Sequence, residues 1–320
     1  MIVAQWESKR EAKKQECDAR VAKLHAMHPD LAEADRKLRM HALGCIKKSI
    51  KGGPKGLDEA DKIYQSLLQE RDTILARYGL TPAVYEPVWD CPLCEDRGYI
   101  RPGVPCTCQL REKREATYLA SGLPEKYRNK TFDNFRTDVY TDPYDMEKKL
   151  ARITRFIMGL AEGRPMGNLV LRGYVGRGKT HLSAAIANAC IERNLTVVYR
   201  RVDDLLDLIR LCKFERGQDS EETRRTYELL FDSDLLILDD FGAEPKTEFA
   251  LDELTRLIEE RNLRNKSWVI NTNLEYNDIE KIYDPRLMER IDEKATVFRL
   301  EAPESLRREE ARRSLDVELI

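Results

Sequence analysis

Residues 168–180 read Asn168-Leu169-Val170-Leu171-Arg172-Gly173-Tyr174-Val175-Gly176-Arg177-Gly178-Lys179-Thr180. The apolar start has the character of a buried strand. The eight residues from Gly173 match G-x-x-x-x-G-K-[ST], and a helical pattern opens at once behind them, which is the context this motif requires. Its glycines let successive backbone N–H groups curl around a phosphate, at the positive end of the following helix. Lys179 then reaches the β- and γ-phosphates, and Thr180 sets its hydroxyl on Mg2+. Residues 173–180, with His181 packed directly behind them, are the candidate site for ATP or ADP.

Working outward, apolar strands at 196–199, 235–238 and 268–271 alternate with helical patterns at 179–193, 203–214 and 247–263. Such alternation predicts an α/β fold, a parallel sheet with helices on both faces. The run Leu235-Leu-Ile-Leu-Asp239-Asp240 is a buried strand ending in two carboxylates, at the edge where α/β proteins bind ligands. Asp239 reads as the acid that organises Mg2+. Asp240 reads as the group that polarises the attacking water, although glutamate is more usual there, and Glu244 is the alternative base. One of these acids can equally cap the helix starting near Thr247, a role that suits Glu244 better than Asp239. Asn273, in Trp268-Val-Ile-Asn271-Thr272-Asn273, follows a further strand and can bond the water or the γ-phosphate. Arg286 and Arg290 lie four apart on one helical face, from which an arginine can reach a neighbouring subunit's nucleotide.

The chain has 320 residues, 42% hydrophobic and 35% charged, with 55 Lys and Arg against 57 Asp and Glu. That rules out a global basic field, so any polyanion site is local. No apolar run reaches the length of a membrane span, and the start lacks a secretion-signal pattern, so a cytoplasmic protein is expected. Four of eight cysteines crowd into Cys91-x-x-Cys94-(x11)-Cys106-x-Cys108. Four thiolates close a tetrahedral structural Zn2+ site, and the clustering favours metal over disulfides. Glu95 and Asp96 are the other candidate ligands between the pairs. Residues 1–80 hold 16 Lys and Arg against 12 Asp and Glu, in helical patterns broken at Pro29-Asp30 and at 52–56. Leu57, Ala60, Tyr64, Leu67, Arg71, Ile74 and Tyr78 form an a/d stripe, for a helical hairpin or for a partner helix. The boundaries expected are a helical docking domain at 1–80, a zinc segment at 81–110, a connector at 111–146 and the nucleotide-binding domain at 147–320.

In order, the phosphate loop, the Asp-Asp strand end, the Thr-Asn strand end and the Leu-x-x-Arg helix resemble an AAA+ ATPase. The chain is more closely similar to bacterial replicative helicase loaders of the DnaC/DnaI type. That likeness rests on residues 235–245 (Leu-Leu-Ile-Leu-Asp-Asp-Phe-Gly-Ala-Glu-Pro), on Arg264-Asn-Lys-Ser with Asn271-Thr-Asn-Leu274, and on Ser305-Leu-Arg307. The segment Cys-Pro-x-Cys-x-Asp-x-Gly-Tyr-Ile at 91–100 extends it. The resemblance implies an AAA+ core with a shortened lid, ATP hydrolysis and self-association through the ATPase domain. It makes Asn273 sensor 1, Arg290 the arginine finger and Arg307 sensor 2. It also implies single-stranded DNA contacts at Arg210, Lys213 and Phe214, with Thr247 and Phe249 at a second point. Leu205, Leu208, Ile209 and Cys212 fit an ordinary amphipathic helix there equally well. The function expected is an ATP-dependent loader that delivers a hexameric replicative helicase onto single-stranded DNA. Two alternatives are an IstB-type transposition helper and an ATP-binding switch with little hydrolysis.

Overall fold

The computed structural model describes residues 2–49, 55–214, 220–283 and 285–306. The chain divides into two compact units, Met1–Arg111 and Glu112–Ile320.

The first unit opens with helices α1 (Ile2–Met27), α2 (Pro29–Ser49) and α3 (Lys55–Arg77). Pro29 starts α2, a position where its missing N–H costs no hydrogen bond. Leu31 and Ala34 of α2 bury against Ile74 and Leu75 of α3, with Leu24, Leu80, Val84 and Tyr85 packed around them. Asp35 accepts the Tyr85 hydroxyl at 2.6 Å and lies 2.6 Å from His25 Nε2. Among the described side chains, which do not include that of Leu57, the expected α3 stripe is covered at its C-terminal end. Ile74 is buried and Leu67 half-buried, while Tyr64, Ile63, Met40 and Leu43 are exposed at the end where His41 stacks on Tyr64. A short antiparallel hairpin follows, β1 (Tyr99–Arg101) and β2 (Val104–Pro105), and then α4 (Thr107–Ser121).

The second unit continues with α5 (Pro143–Ala161), β3 (Asn168–Arg172), α6 (Lys179–Glu192), β4 (Val197–Arg201), α7 (Val202–Phe214) and α8 (Glu221–Asp232). It ends with β5 (Leu235–Phe241), α9 (Glu248–Leu263), β6 (Ser267–Thr272), α10 (Tyr276–Ile282), α11 (Pro285–Asp292) and β7 (Ala295–Arg299). The sheet is wholly parallel, in the order β4-β5-β6-β3-β7. Successive strand residues feed opposite cores. Leu169, Leu171, Leu235, Ile237 and Val269 pack under α5 and α6, while Val170, Leu236, Leu238, Trp268 and Ile270 pack under α7, α8, α9 and α11. Burial on both faces is why these strands read as continuous apolar runs. This is the α/β fold, a parallel sheet with helices on both faces, that the sequence predicts.

Three features differ from expectation. β5 runs through both acids to Phe241 instead of stopping before them. α8 has no counterpart in the sequence reading, because its charged run Glu-Glu-Thr-Arg-Arg hides the few apolar positions that it buries, Leu230 and Phe231. The stretch expected as connector holds most of α4 and the first turn of α5.

Candidate nucleotide-binding site

Strand order determines what meets at the C-terminal edge of the sheet. β6 lies between β3 and β5, so Asn273 emerges between the phosphate loop and the two acids. Gly178 caps α6 with φ +84, and a Cβ there would stand 2.5 Å from the Tyr140 hydroxyl. At Gly176, φ +78, a Cβ would stand 2.2 Å from Ser305 Oγ. Only glycine suits either position, which leaves the backbone bare for a phosphate. The loop is pinned from outside: Tyr140 donates to Arg177 O at 3.0 Å, and Leu306 N donates to Gly176 O at 2.9 Å. Lys179 is buried. Its ammonium donates to Gly173 O at 2.6 Å, to Tyr174 O at 3.0 Å and to Asn273 Oδ1. The loop lysine and the proposed sensor are thus in direct contact.

Asp239 is buried and held by three donors. Tyr199 O–H reaches Oδ2 at 2.6 Å, while Asn271 Nδ2 and the Asp240 N–H reach Oδ1 at 2.8 and 3.1 Å. Asn271 also donates to Ser183 Oγ at 2.7 Å, which ties the acid to α6. Asp240 sits where the β5–β6 register slips, with φ +56, in the left-handed region that non-glycine residues seldom adopt. Burial, reinforced by the neighbouring Asp239 charge, holds the Asp240 carboxyl above its ordinary value. A raised carboxylate is the more basic one, which suits a group that polarises water. Glu244 behaves otherwise. It is buried, Oε2 accepts the Gly242 N–H at 2.8 Å, and Oε1 holds Lys246 at 2.7 Å and the Tyr283 hydroxyl. With both oxygens occupied, Glu244 is a brace for the loop after β5 and not a free base. Thr247, not an acid, caps α9, its Oγ accepting the Ala250 N–H at 3.2 Å.

The remaining expected site residues are distributed as follows. His181 Nε2 lies 2.9 Å from Asn134 Oδ1, with its ring edge-on to Phe135, so the segment before α5 packs on the loop helix. Thr180 is half-buried in the first turn of α6. Arg290, on α11, pairs with Glu259 at 3.5 Å and Glu293 at 3.8 Å. Arg307 lies outside the described residues. Arg210, Phe214 and Phe249 form one cluster: the guanidinium lies 5.3 Å from the Phe249 ring, which lies 5.8 Å from the Phe214 ring and is tilted 53° to it. Phe214 is 68% exposed. Lys213 is instead drawn onto the buried carboxylate of Glu253, which Arg256 also holds. The sequence reading missed Tyr199, Asn271 and Ser183, since no motif spacing links β4, β6 and α6.

In the first unit, the Sγ atoms of Cys91, Cys94, Cys106 and Cys108 all lie within 4.8 Å of one another. Cys91–Cys106 and Cys94–Cys108 are 3.7 and 3.5 Å apart. A tetrahedron with Zn–S bonds of about 2.3 Å has edges of about 3.8 Å, so the four thiols fit the ion. Asp96 is excluded as a ligand, because its carboxylate accepts the Asp90 and Cys91 N–H groups at 2.9 Å each. Glu95 is engaged by Arg97 and Arg10. Trp6 buries against the cluster, and Gly98, with φ +78, leaves room for its ring.

A glycine-bare loop on a helix N-terminus, a buried lysine, a braced strand-end acid and an adjoining asparagine define a P-loop site for a nucleotide's phosphates. The sequence profile of the IstB-like ATP binding protein family matches residues 126–314, and the chain belongs to that family. The replicative helicase loader DnaC of Escherichia coli K12 is 24% identical over 179 residues, 56% of this chain and 69% of its own. A putative insertion sequence ATP-binding protein of Sinorhizobium fredii is 30% identical over 187 residues, 57% of this chain and 59% of its own. Each alignment leaves roughly a third or more of the relative unmatched. A crystal structure of the DnaC helicase loader superposes with a TM-score of 0.47 at 22% identity, over 56% of this chain and all of that one. Among the described residues no helix is long and apolar enough to cross a membrane.

Proposed function

We propose that this chain is an ATP-hydrolysing loader that binds a hexameric replicative helicase and delivers it onto single-stranded DNA. The observation that carries the reading is the meeting of Lys179, Asp239, Asp240 and Asn273 at one sheet edge, in a chain that also carries a separate helical unit with a thiol cluster. In this reading Lys179 leaves Gly173 O and Tyr174 O for the β- and γ-phosphates as the loop amides take the polyphosphate. Asp239 orients the metal's shell, Asp240 accepts the proton of the attacking water and Asn273 holds that water or the γ-phosphate. Thr180 and Asp239 would hold Mg2+, which when bound would supply charge neutralisation for the phosphates. Arg290 acts on the nucleotide of a neighbouring copy, with Arg307 as the partner of the same chain's phosphates. Zn2+ on Cys91, Cys94, Cys106 and Cys108 holds the first unit together.

The docking role belongs to the first unit, whose exposed Met40, Leu43, Ile63 and Tyr64 offer apolar surface to a partner helix. A chain lacking residues 1–80 is expected to keep ATP binding and to lose a hexameric helicase in a pull-down. Full-strength capture by the shortened chain would move the docking role elsewhere. The insertion-sequence relative favours a second reading, a transposition helper. Capture of a transposase instead of the helicase decides for it.

Single-stranded DNA meets the Arg210–Phe249–Phe214 cluster. Loss of a stacked base contact is worth about 1–3 kcal/mol, so Phe214→Ala is expected to weaken binding about 5- to 160-fold. Arg210→Ala weakens it with a shallower salt dependence, because a phosphate contact is lost. Unchanged affinity for an oligonucleotide in both variants would remove this surface from the DNA path.

A further inference from the structure

Tyr199 lies on β4, a strand that carries no recognised motif, and it is buried. A carboxylate has about four lone-pair sites. In Asp239 two on Oδ1 are taken, by Asn271 Nδ2 and the Asp240 N–H, and one on Oδ2 is taken by the Tyr199 hydroxyl. One site on Oδ2 is left. Among the described residues Tyr199 is the donor on Oδ2, and together with the two donors on Oδ1 it fixes the carboxylate plane and so the direction of that last lone pair. The phenol is itself fixed: its ring packs in the core beside Tyr127, at 6.3 Å between centroids, and its oxygen lies 3.3 Å from Ser183 Oγ. Ser183 donates in turn to Thr180 O, on the residue that offers its hydroxyl to Mg2+.

We propose that Tyr199 is a positioning residue for metal binding: its hydroxyl aims the remaining Oδ2 lone pair of Asp239 at the hydration shell of the nucleotide-bound Mg2+. This rests on the reading of Asp239 as the metal-organising acid. Outer donors of this kind commonly alter metal affinity about ten- to a hundredfold when removed. Tyr199→Phe keeps the ring and its packing and deletes only the donor.

The test titrates Mn2+, as a spectroscopically visible stand-in for Mg2+, into the full chain with ADP, and reads free ion by electron paramagnetic resonance. Tyr199→Phe is expected to weaken Mn2+ binding about tenfold, while ADP affinity measured in chelator stays within about twofold of wild type. Tyr127→Phe, which trims the ring beside Tyr199 and keeps its packing, controls for general loosening and is expected to shift Mn2+ affinity far less. Mn2+ affinity unchanged in Tyr199→Phe overturns the proposal. So does an equal loss in Tyr127→Phe, or a loss of ADP binding in chelator, since each marks a purely structural role. A wild-type chain that holds Mn2+ no better with ADP than without it overturns the metal role of Asp239, and this proposal with it. That failure shows in the wild-type arm alone.

Discussion

Asp239→Asn is expected to lower ATP turnover by at least about a hundredfold while leaving nucleotide binding in chelator nearly intact. The substitution is almost isosteric, so packing at this buried position survives. What changes is charge and hydrogen-bond sense. Three donors, from Tyr199, Asn271 and the Asp240 backbone, converge on the carboxylate. An amide offers one oxygen to them and turns an N–H against at least one, leaving a buried donor without an acceptor. On the proposed reading of Asp239 it also removes the negative charge that would hold the metal shell. Deleting a single preorganised electrostatic contact at a reacting centre commonly costs about 10²–10³ in rate. Phosphate release at saturating ATP and Mg2+ measures the effect. Turnover within a few-fold of wild type would transfer the metal role to another acid. Asp240 is then the first candidate, because its carboxyl is already held above its ordinary value by burial and by Asp239.

The second large effect concerns the thiols. Removing metal with a strong chelator, or replacing Cys108 with Ser, is expected to unfold the segment around 91–108 while ATP binding by the second unit persists. The cluster's buried neighbours are Trp6 and the cysteines themselves, so little apolar core remains once the ion is gone. Structural Zn2+ commonly contributes about 10–16 kcal/mol to such folds near neutral pH, far more than one buried tryptophan supplies. Proteolysis between Cys91 and Cys108 should accelerate, and Trp6 should become solvent-exposed by fluorescence. Metal analysis of chain purified without chelator is expected to give one Zn2+ per molecule. A content near zero, with the segment still protected, would show that hydrogen bonds such as Cys106 N–H to Gly98 O suffice alone.

Much of the molecule is local in origin, and those parts are legible. A phosphate cradle needs glycines at fixed separations within eight residues, so Gly173, Gly176, Gly178 and Lys179 announce it from spacing alone. A strand buried on both faces must be apolar at every position, so β3, β5 and β6 stand out as runs. The thiol pairs are equally local, and the structure brings all four sulfurs together. The α3 stripe was legible as a pattern but not in its outcome, because burial depends on what lies opposite. The same holds for Lys213, whose spacing suits a phosphate contact and whose ammonium is held by Glu253, 40 residues away. Asp239 likewise meets Tyr199 and Asn271 from 40 and 32 residues away. Glu244 looks like a spare base until Tyr283, 39 residues on, closes over it. The sequence by itself determined the phosphate-loop turn, the apolar strands and the thiol pairs, because backbone geometry and side-chain chemistry act over a few residues. Tertiary structure decided which carboxylate is braced, which is free and which asparagine meets Lys179. Those outcomes depend on strand order, which is set by packing two apolar faces at once and leaves no trace in local spacing.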